Sequence, residues 1–238
     1  MDFPFHQTYE LDDYNDNYKP TVFFGMYRYE DIVLLFAHHS SIIILWTGQD
    51  ALQFKHWGSI ADTRQITNVT AHPKVHQLIT SNGCNCKLIK PAAFLNTVNP
   101  QKLGKKIYAY CPASAPEYHG AEIIHKLRKA GYDIIVGDGT HAQENWRGML
   151  ADSYYNQAFI GLCLSEFAGG GGSIIEMGLR GMRVVTNVFD LPNCIPWASV
   201  EDIMTAIELE TKLIGETNTD LAIEVWNDLD HAHKWLEI

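Results

Sequence analysis

The chain has 238 residues, enough for one large domain or two small ones. Hydrophobic residues make up 46% of it, which supports a real core, and 19% of the residues are charged. The formal net charge of −10 argues against broad, nonspecific binding to nucleic acid. No apolar run reaches about 18 residues, and the acidic, aromatic N-terminus lacks a signal-peptide pattern. We therefore expect no membrane span and a cytoplasmic protein, in the host cytoplasm if the protein is viral.

The cysteines are odd in number and favour reduced thiols over a disulfide framework. There are five of them: Cys84, Cys86, Cys111, Cys163 and Cys194. Cys84 and Cys86 are separated by one residue, whereas zinc and redox pairs usually have two between them. The sequence therefore predicts no metal site.

The first half of the chain alternates between strand and helix patterns. Residues 1–20 are polar and rich in tyrosine, and we expect a loosely ordered arm there. The predicted elements that follow are strand Thr21–Met26, helix Tyr29–His39, strand Ser41–Trp46, short helix Ala51–Trp57, strand Gln65–Thr70, helix Pro73–Ser81 and strand Cys86–Ile89. This alternation predicts right-handed βαβ units and a parallel sheet.

The same plan starts again after a linker at Pro91–Lys106. The predicted elements are strand Lys106–Tyr110, helix Ala121–Ala130, strand Tyr132–Val136, helix Trp146–Gln157, strand Phe159–Leu164, helix Ile174–Arg180, strand Arg183–Thr186, helix Val200–Leu213 and terminal helix Asp220–Leu236. Ser199 is predicted to be an N-cap, with Asp202 three residues later. We thus divide the chain into an arm (1–20), a first lobe (21–100) and a second lobe (101–238).

Four consecutive glycines, Gly169–Gly172, stand between a predicted strand and a predicted helix. Glycines directly before a helix leave backbone N–H groups pointing at one spot, where the helix dipole favours phosphate. Ser173 is the expected N-cap, and Gly181 suits a left-handed residue just past the helix. The alternative is a flexible surface loop before an ordinary helix. The pattern is neither G-x-x-x-x-G-K-[ST] nor a clean G-x-G-x-x-G, which argues against a P-loop NTPase and weakly against a dehydrogenase.

Two carboxylates stand out near this loop and one near the first lobe's edge. Glu176, three residues after Ser173, faces the same pocket if the helix is correct and would accept hydrogen bonds from ribose hydroxyls. Asp50 follows an apolar strand, at the edge where sites form in doubly wound sheets, and would orient or deprotonate a hydroxyl. Its alternative role is a helix N-cap. Glu166 is a second candidate for catalysis, and its alternative is an ordinary loop carboxylate.

Three segments of the second half resemble the donor-binding lobe of GT-B glycosyltransferases, above all family 4. These are IIVGDG (134–139), LSEFAGGGGSIIEMGLRGMRVVTN (164–187) and LPNCI (191–195). The resemblance covers about residues 105–210, and the first half matches in layout. It implies an α/β fold of two Rossmann-like lobes, GT-B type, with a shortened N-terminal lobe and the donor bound between the lobes.

The resemblance also implies roles for individual residues. Glu176 matches the second of the family's two glutamates, which holds the nucleotide ribose. Ala168 stands where the first glutamate is expected, and Glu166, the nearest acid, would lie near the anomeric carbon of the donor sugar. The remaining donor-binding candidates are Gly25, Ser114, His119, Gly137, Asp138, Gly170, Gly171, Gly172 and Ser173. Ser114 and His119 occupy the loop whose lysine and arginine contact the donor phosphates in the family, and we expect Arg180 and Arg183 to face solvent.

Taken together, the sequence predicts a hexosyl- or pentosyltransferase that needs no metal and no cofactor beyond its nucleotide-sugar donor. The default donor is a UDP-sugar, and the acceptor is a hydroxyl on a glycan, protein, lipid or modified DNA base. The alternative is a non-catalytic, degenerate GT-B module used for binding or assembly. A sugar epimerase on a similar fold is a third reading.

Overall fold

The computed structural model describes residues 12, 14–53, 66–91, 98–137, 153–167 and 171–236. The chain forms two compact units. One is Met1–Phe94 with Phe167–Gly171 and Leu229–Ile238, and the other is Leu95–Glu166 with Gly172–Asp228. No helix in these described ranges is long and apolar enough to cross a membrane.

The first unit contains a four-stranded parallel sheet with strand order β1-β2-β3-β4. Its elements are β1 (Thr21–Phe24), α1 (Tyr29–Ala37), β2 (Ile42–Trp46), a 3-10 turn (Gln49–Gln53), β3 (Ile66–Thr70), α2 (Pro73–Ser81) and β4 (Cys86–Leu88). The predicted helix Ala51–Trp57 is a 3-10 turn where it is described, and residues 54–65 lie outside the described residues.

Strand β2 is buried at every position because both faces of the sheet are covered. Ile42, Ile44 and Trp46 pack on one side with residues of the two helices, including Leu35 and Val75. Since side chains alternate along a strand, Ile43 and Leu45 face the other side. There they pack with Val69, Ile89 and Trp235.

The C-terminal segment corrects the predicted terminal helix. Helix α6 spans Thr219–Asp228, and the predicted continuation to Leu236 is wrong. The chain instead enters the first unit, where the Asp230 N–H donates to the Lys90 carbonyl at 2.6 Å. His233 takes a positive φ of 51°, which a helix does not allow, and Trp235 is only 2% exposed. The free energy gained by burying this indole in an apolar cluster exceeds what continuation of the helix would contribute.

The second unit contains a five-stranded parallel sheet with order β6-β5-β7-β8-β9. Its elements are β5 (Lys106–Tyr110), α3 (Ala121–Lys129), β6 (Ile134–Gly137), β7 (Ala158–Cys163), α4 (Gly172–Leu179), β8 (Arg183–Thr186), β9 (Cys194–Ile195), α5 (Val200–Glu210) and α6. The predicted helix Trp146–Gln157 lies mostly outside the described residues, and strand β9 was not predicted. Each unit is a parallel α/β layer, so the predicted Rossmann-like lobes are confirmed.

Two of the predicted signals at helix ends are confirmed. The Ser199 hydroxyl accepts from the Asp202 N–H at 3.1 Å, and the Asp202 carboxylate accepts from the Ser199 N–H at 2.9 Å. Gly181 follows α4 with a φ of +84°, as a left-handed C-terminal glycine should. The five cysteines are all free thiols.

Candidate functional site

The strand order of the second unit identifies where a ligand site is expected. Strand β5 pairs with β6 on one side and β7 on the other, so the chain reverses direction of winding between β5 and β7. In open α/β sheets, ligands bind outside the carboxyl ends of the strands at such a switch point. Tyr110 and Cys163 end these two strands here. The loop 111–120 and the segment 164–167 leave from this edge.

The loop after β5 carries two of the predicted donor-binding residues. Ser114 is exposed, while His119 is half-buried. The His119 ring meets the rings of Tyr110 and Tyr118 edge-on, with centroids 5.2 and 5.0 Å apart. Burial lowers the pKa of His119 below its ordinary value of 6.5. The imidazole is therefore mainly neutral at pH 7 and offers a hydrogen-bond donor and an acceptor, without the positive charge of a lysine or arginine.

Strand β6 ends at Gly137, which is buried beside Tyr108. A Cβ atom at this position would lie 2.6 Å from the Tyr108 hydroxyl oxygen, so a larger residue would displace that ring. Asp138 and the following Gly139 lie outside the described residues. The structure thus gives Gly137 a packing role, and its predicted contact with the donor stays a prediction.

The end of the glycine run forms the first turn of α4. Gly171 has a φ of +64°, and the helix begins at Gly172. Ser173 therefore lies inside the first turn and is not the N-cap that the sequence predicted, because the helix starts at Gly172, two residues earlier than the predicted Ile174. Gly170 lies outside the described residues. The N–H groups of Gly172, Ser173 and Ile174 belong to the first turn, where a helix leaves its donors without intrahelical partners.

Glu176 is half-buried one turn into α4. Its side chain is close enough to Tyr155 to contribute, after burial, to the raised pKa of that phenol. The Arg180 guanidinium donates from Nη1 to the backbone carbonyl of Glu176 at 3.0 Å. The predicted exposure of Arg180 is wrong, since this side chain is buried and its Cζ lies 5.1 Å from the centre of the Tyr155 ring.

A buried pair of tyrosines forms the wall behind Glu176. The rings of Tyr108 and Tyr155 meet edge-on, with centroids 5.1 Å apart. Burial first, and then nearby groups that include the Glu176 carboxylate, raise the pKa of both phenols. Both hydroxyls therefore stay protonated at physiological pH and act as donors. Sequence reasoning missed these two residues because neither belongs to a motif.

Glu166, the second catalytic candidate, is exposed just after β7. The residue before it, Ser165, is buried, and its hydroxyl lies 3.8 Å from the Cys163 sulfur. The residue after it, Phe167, belongs to the first unit and stacks on His72, with centroids 5.5 Å apart. The Glu166 carboxylate therefore sits on a short segment that is anchored on both sides.

Asp50 lies at the carboxyl end of β2, as predicted, but it is only 1% exposed. Its carboxylate accepts from the backbone N–H groups of Met26, Thr47 and Gly48, at 3.2, 3.2 and 2.8 Å. Burial raises the pKa of this carboxyl, and the backbone hydrogen bonds oppose that rise. The Asp50 carboxylate therefore connects the loops that follow β1 and β2. This role differs from the helix N-cap that the sequence offered as the alternative.

Gly25, at the end of β1, has a φ of +79°, and its N–H donates to the Leu45 carbonyl at 2.9 Å. The ring of Tyr27 lies directly against its Cα, so a side chain here would collide with that ring. The glycine is thus required by the turn. Among the described residues no group of three or more histidine, cysteine, aspartate or glutamate side chains is placed to hold a metal ion.

Comparison with known proteins identifies the fold. No family model matches the chain. No curated protein matches it either. Among solved structures, TarM, a glycosyltransferase of GT-B type, is similar with a TM-score of 0.66 and 12% sequence identity. The likeness covers 97% of this chain and 57% of the TarM chain, so this chain spans little more than half of that protein's length. The fold is therefore of the GT-B type, with two Rossmann-like lobes.

Proposed function

We propose that this protein is a glycosyltransferase that moves a sugar from a nucleoside diphosphate sugar to a hydroxyl acceptor. The observation that carries the proposal is the arrangement at the switch point of the second sheet. There, a glycine run enters the first turn of α4, and Glu176 stands one turn further on. A helix N-terminus suits a diphosphate, and a nearby carboxylate suits ribose hydroxyls.

The leaving diphosphate must be stabilised as negative charge develops on it. Backbone N–H groups of Gly171, Gly172 and Ser173, with Gly170 before them, are proposed to supply this stabilisation without a metal ion. The loop after β5 adds Ser114 and His119 as neutral hydrogen-bonding groups. Gly137 and Asp138 are proposed to border the base or ribose.

The two catalytic candidates differ in what their surroundings permit. The Glu166 carboxylate is exposed, and it stays our candidate near the anomeric carbon. The Asp50 carboxylate already accepts several backbone N–H groups, so accepting a proton from a hydroxyl would compete with those bonds. We therefore give Glu166 precedence over Asp50.

Nucleotide binding is tested first, by thermal unfolding with UDP, GDP, ADP and CMP and with their sugars. A ligand that binds only the folded protein stabilises it by about 2.7 kcal/mol at a hundredfold excess over Kd. A clear rise in Tm with one nucleotide, UDP being our default, is expected. Glu176→Ala should abolish most of that rise, and an unchanged rise would remove Glu176 from the site.

Catalysis is then tested by incubating the protein with the donor selected in this way. Release of the nucleoside diphosphate, measured with and without candidate acceptors, is the expected result. The acceptors to compare are glycan, protein, lipid and modified DNA bases. The net charge of −10 disfavours duplex DNA among these. Repeating the assay with a chelator tests the proposed independence from metal.

A non-catalytic GT-B module that binds a nucleotide or a partner is the second candidate. It is favoured by the Asp50 carboxylate, which is buried and engaged by backbone donors, and by Ala168 at the position of the family's first glutamate. Nucleotide binding without hydrolysis or transfer, for every acceptor class tried, would support this candidate over the enzyme.

A further inference from the structure

Phe167 stands next to Glu166 in the chain but packs within the first unit. By their contacts, Glu166 belongs to the second unit and Phe167 to the first. The half-buried Phe167 side chain packs against the hydrophobic cluster of the first sheet that includes Trp46 and Val75. The chain thus changes unit at the peptide bond that follows the catalytic candidate.

The N-terminus of α2 receives the Phe167 ring. The His72 imidazole stacks on this ring, with centroids 5.5 Å apart and an angle of 27° between the planes. The Lys74 ammonium lies over the same ring, 6.0 Å from its centre, at the outer limit of a cation–π contact. Both contacts depend on an aromatic side chain, because an aliphatic one has no π face.

His72 is itself a fixed residue. It is only 2% exposed and is the N-cap of α2. Its Nδ1 accepts from the Lys74 N–H at 3.2 Å, and its own N–H donates to the Thr70 hydroxyl at 3.1 Å. Because its ring and its backbone are both hydrogen-bonded, the imidazole gives Phe167 a partner with a defined position.

The residue on the other side of Glu166 is held within the second unit. Ser165 is 2% exposed, and its hydroxyl lies 3.8 Å from the sulfur of Cys163, the last residue of β7. Cys163 is paired with Thr186 of β8. Consecutive Cα atoms are only about 3.8 Å apart, so the backbone at Glu166 is restrained on both sides.

The simpler role for Phe167 is to fill part of the first core. Any apolar side chain of similar size would meet that need. A stacked ring is directional in addition, because it fixes the plane of the Phe167 side chain and, through one peptide bond, the point from which the exposed Glu166 side chain extends.

We propose that Phe167 is a positioning residue, which fixes the Glu166 carboxylate for the transfer step by stacking on His72. This inference rests on the proposed function, since it takes Glu166 to act near the anomeric carbon. A displacement of about 1 Å at a catalytic group costs about a hundredfold in rate, so loss of a contact beside that group has a measurable effect. It adds a residue that no motif in the sequence indicated.

The test compares Phe167→Leu with Phe167→Tyr by release of nucleoside diphosphate from UDP-glucose, UDP-N-acetylglucosamine, GDP-mannose and ADP-glucose. Leucine keeps an apolar side chain but removes the ring. We expect kcat to fall by about tenfold to a hundredfold, with KM for the donor within about twofold of the wild type, because the position of Glu166 matters in the transition state. Tyrosine keeps the ring and should retain most of the wild-type kcat.

Leu78→Ala is the matched control, because Leu78 is another partly buried side chain that packs against the same cluster. It should lower Tm and leave kcat unchanged. If Leu78→Ala and Phe167→Leu instead reduce kcat in proportion to their loss of Tm, Phe167 acts only through general stability, and the inference is overturned.

Hydrogen exchange measures the restraint of the backbone separately from activity. Phe167→Leu should speed exchange in peptides that cover residues 164–167, and Leu78→Ala should not. Unchanged exchange in Phe167→Leu would mean that the ring does not hold this segment, which contradicts the inference.

A double variant tests whether Phe167 acts through Glu166. Added to Glu166→Gln, Phe167→Leu should lower kcat no further, because the carboxylate that it positions is already absent. A full additive loss of kcat would contradict a positioning role.

The outcomes separate this inference from the proposed function. Absence of diphosphate release from all four donors would remove both. Release that Glu166→Gln leaves intact would remove the catalytic role of Glu166 and the positioning role of Phe167 with it. Release that Glu166→Gln abolishes and Phe167→Leu leaves intact would overturn the role of Phe167 alone.

Discussion

At the scale of single residues, Asp50 is a buried carboxylate that accepts hydrogen bonds from backbone N–H groups of the protein itself. Asp50→Asn keeps the size of the side chain but turns an NH2 group toward backbone N–H donors. We expect the free energy of unfolding to fall by about 2 kcal/mol, because buried donors then lose an acceptor. Urea unfolding of the two proteins measures the difference.

Gln49→Ala is the matched control for this change, since Gln49 is the exposed neighbour of Asp50. It should leave stability within about 0.5 kcal/mol of the wild type. The same variants bear on catalysis. If Asp50→Asn is as stable as the wild type but loses transfer activity, the carboxylate acts on the acceptor and its structural role is minor.

Gly178, within α4, is a second residue whose role is decided by its neighbour. A Cβ atom there would lie 2.8 Å from the Asn193 side chain, which is fully buried and donates to the Ile174 carbonyl at 2.9 Å. Alanine is favoured over glycine in a helix by about 1 kcal/mol, but overpacking a buried site costs about 1–3 kcal/mol. We therefore expect Gly178→Ala to lower the urea midpoint.

Asn193→Ala provides the check on this explanation. Combined with Gly178→Ala, it removes the overlap, so the double variant should lose less stability than the two single variants together. Strictly additive losses would mean that the cost of Gly178→Ala comes from elsewhere.

The residues of the candidate site were only partly predictable. Glu176 followed from its distance to the glycine run and from the family resemblance. Tyr155 and Arg180 did not, because their contacts join a residue before β7 to the end of α4. Arg180 stands next to a helix-ending glycine, a position that favours exposure, but the aromatic face of Tyr155 and the Glu176 carbonyl hold it inward.

At the scale of elements, the start of α5 depends on its capping box. Ser199→Ala removes the hydroxyl that accepts from the Asp202 N–H and should cost about 1 kcal/mol of stability. Thr205→Ala, an exposed position within the same helix, should be neutral or slightly stabilising because alanine has the better helix propensity. Equal effects of the two changes, measured by urea unfolding, would contradict a capping role.

Elements were predicted best where the signal is local. Strand β8, strand β5 and helix α2 have the predicted bounds, since an apolar run or an N-terminal proline marks each of them. Strand β9 was missed because its two residues gain their pairing from β8 and carry no pattern of their own. Helix α6 was predicted too long because the apolar residues that follow it, Leu229 and Trp235, are buried in the first unit and do not continue the helix.

At the scale of the whole molecule, the segment that follows α6 completes the core of the first unit. Trp235→Ala should cost about 3–5 kcal/mol there, as expected for loss of a large buried aromatic side chain. Hydrogen exchange should rise in β2 and β3 more than in β5 and β7, and mass spectrometry of peptides measures this. A rise of the same size in both sheets would mean that Trp235 does not act through the core of the first unit.

The alternation of strands and helices predicted both sheets and hence the two lobes. It could not predict that the chain returns to the first lobe at residue 229, because a return is set by complementary surfaces that are distant in sequence. The cluster of Ile43, Leu45, Val69 and Ile89 provides that surface, and Trp235 fills it.

This return has a consequence for how the protein is made. Domains generally fold in order as they leave the ribosome, with the N-terminal one first. Here residues 229–236 are synthesised after the whole second unit, so the nascent first unit waits without the Trp235 indole that packs on one face of its sheet. During translation the second lobe is therefore the first that can finish folding, and the lobe that begins the chain finishes last.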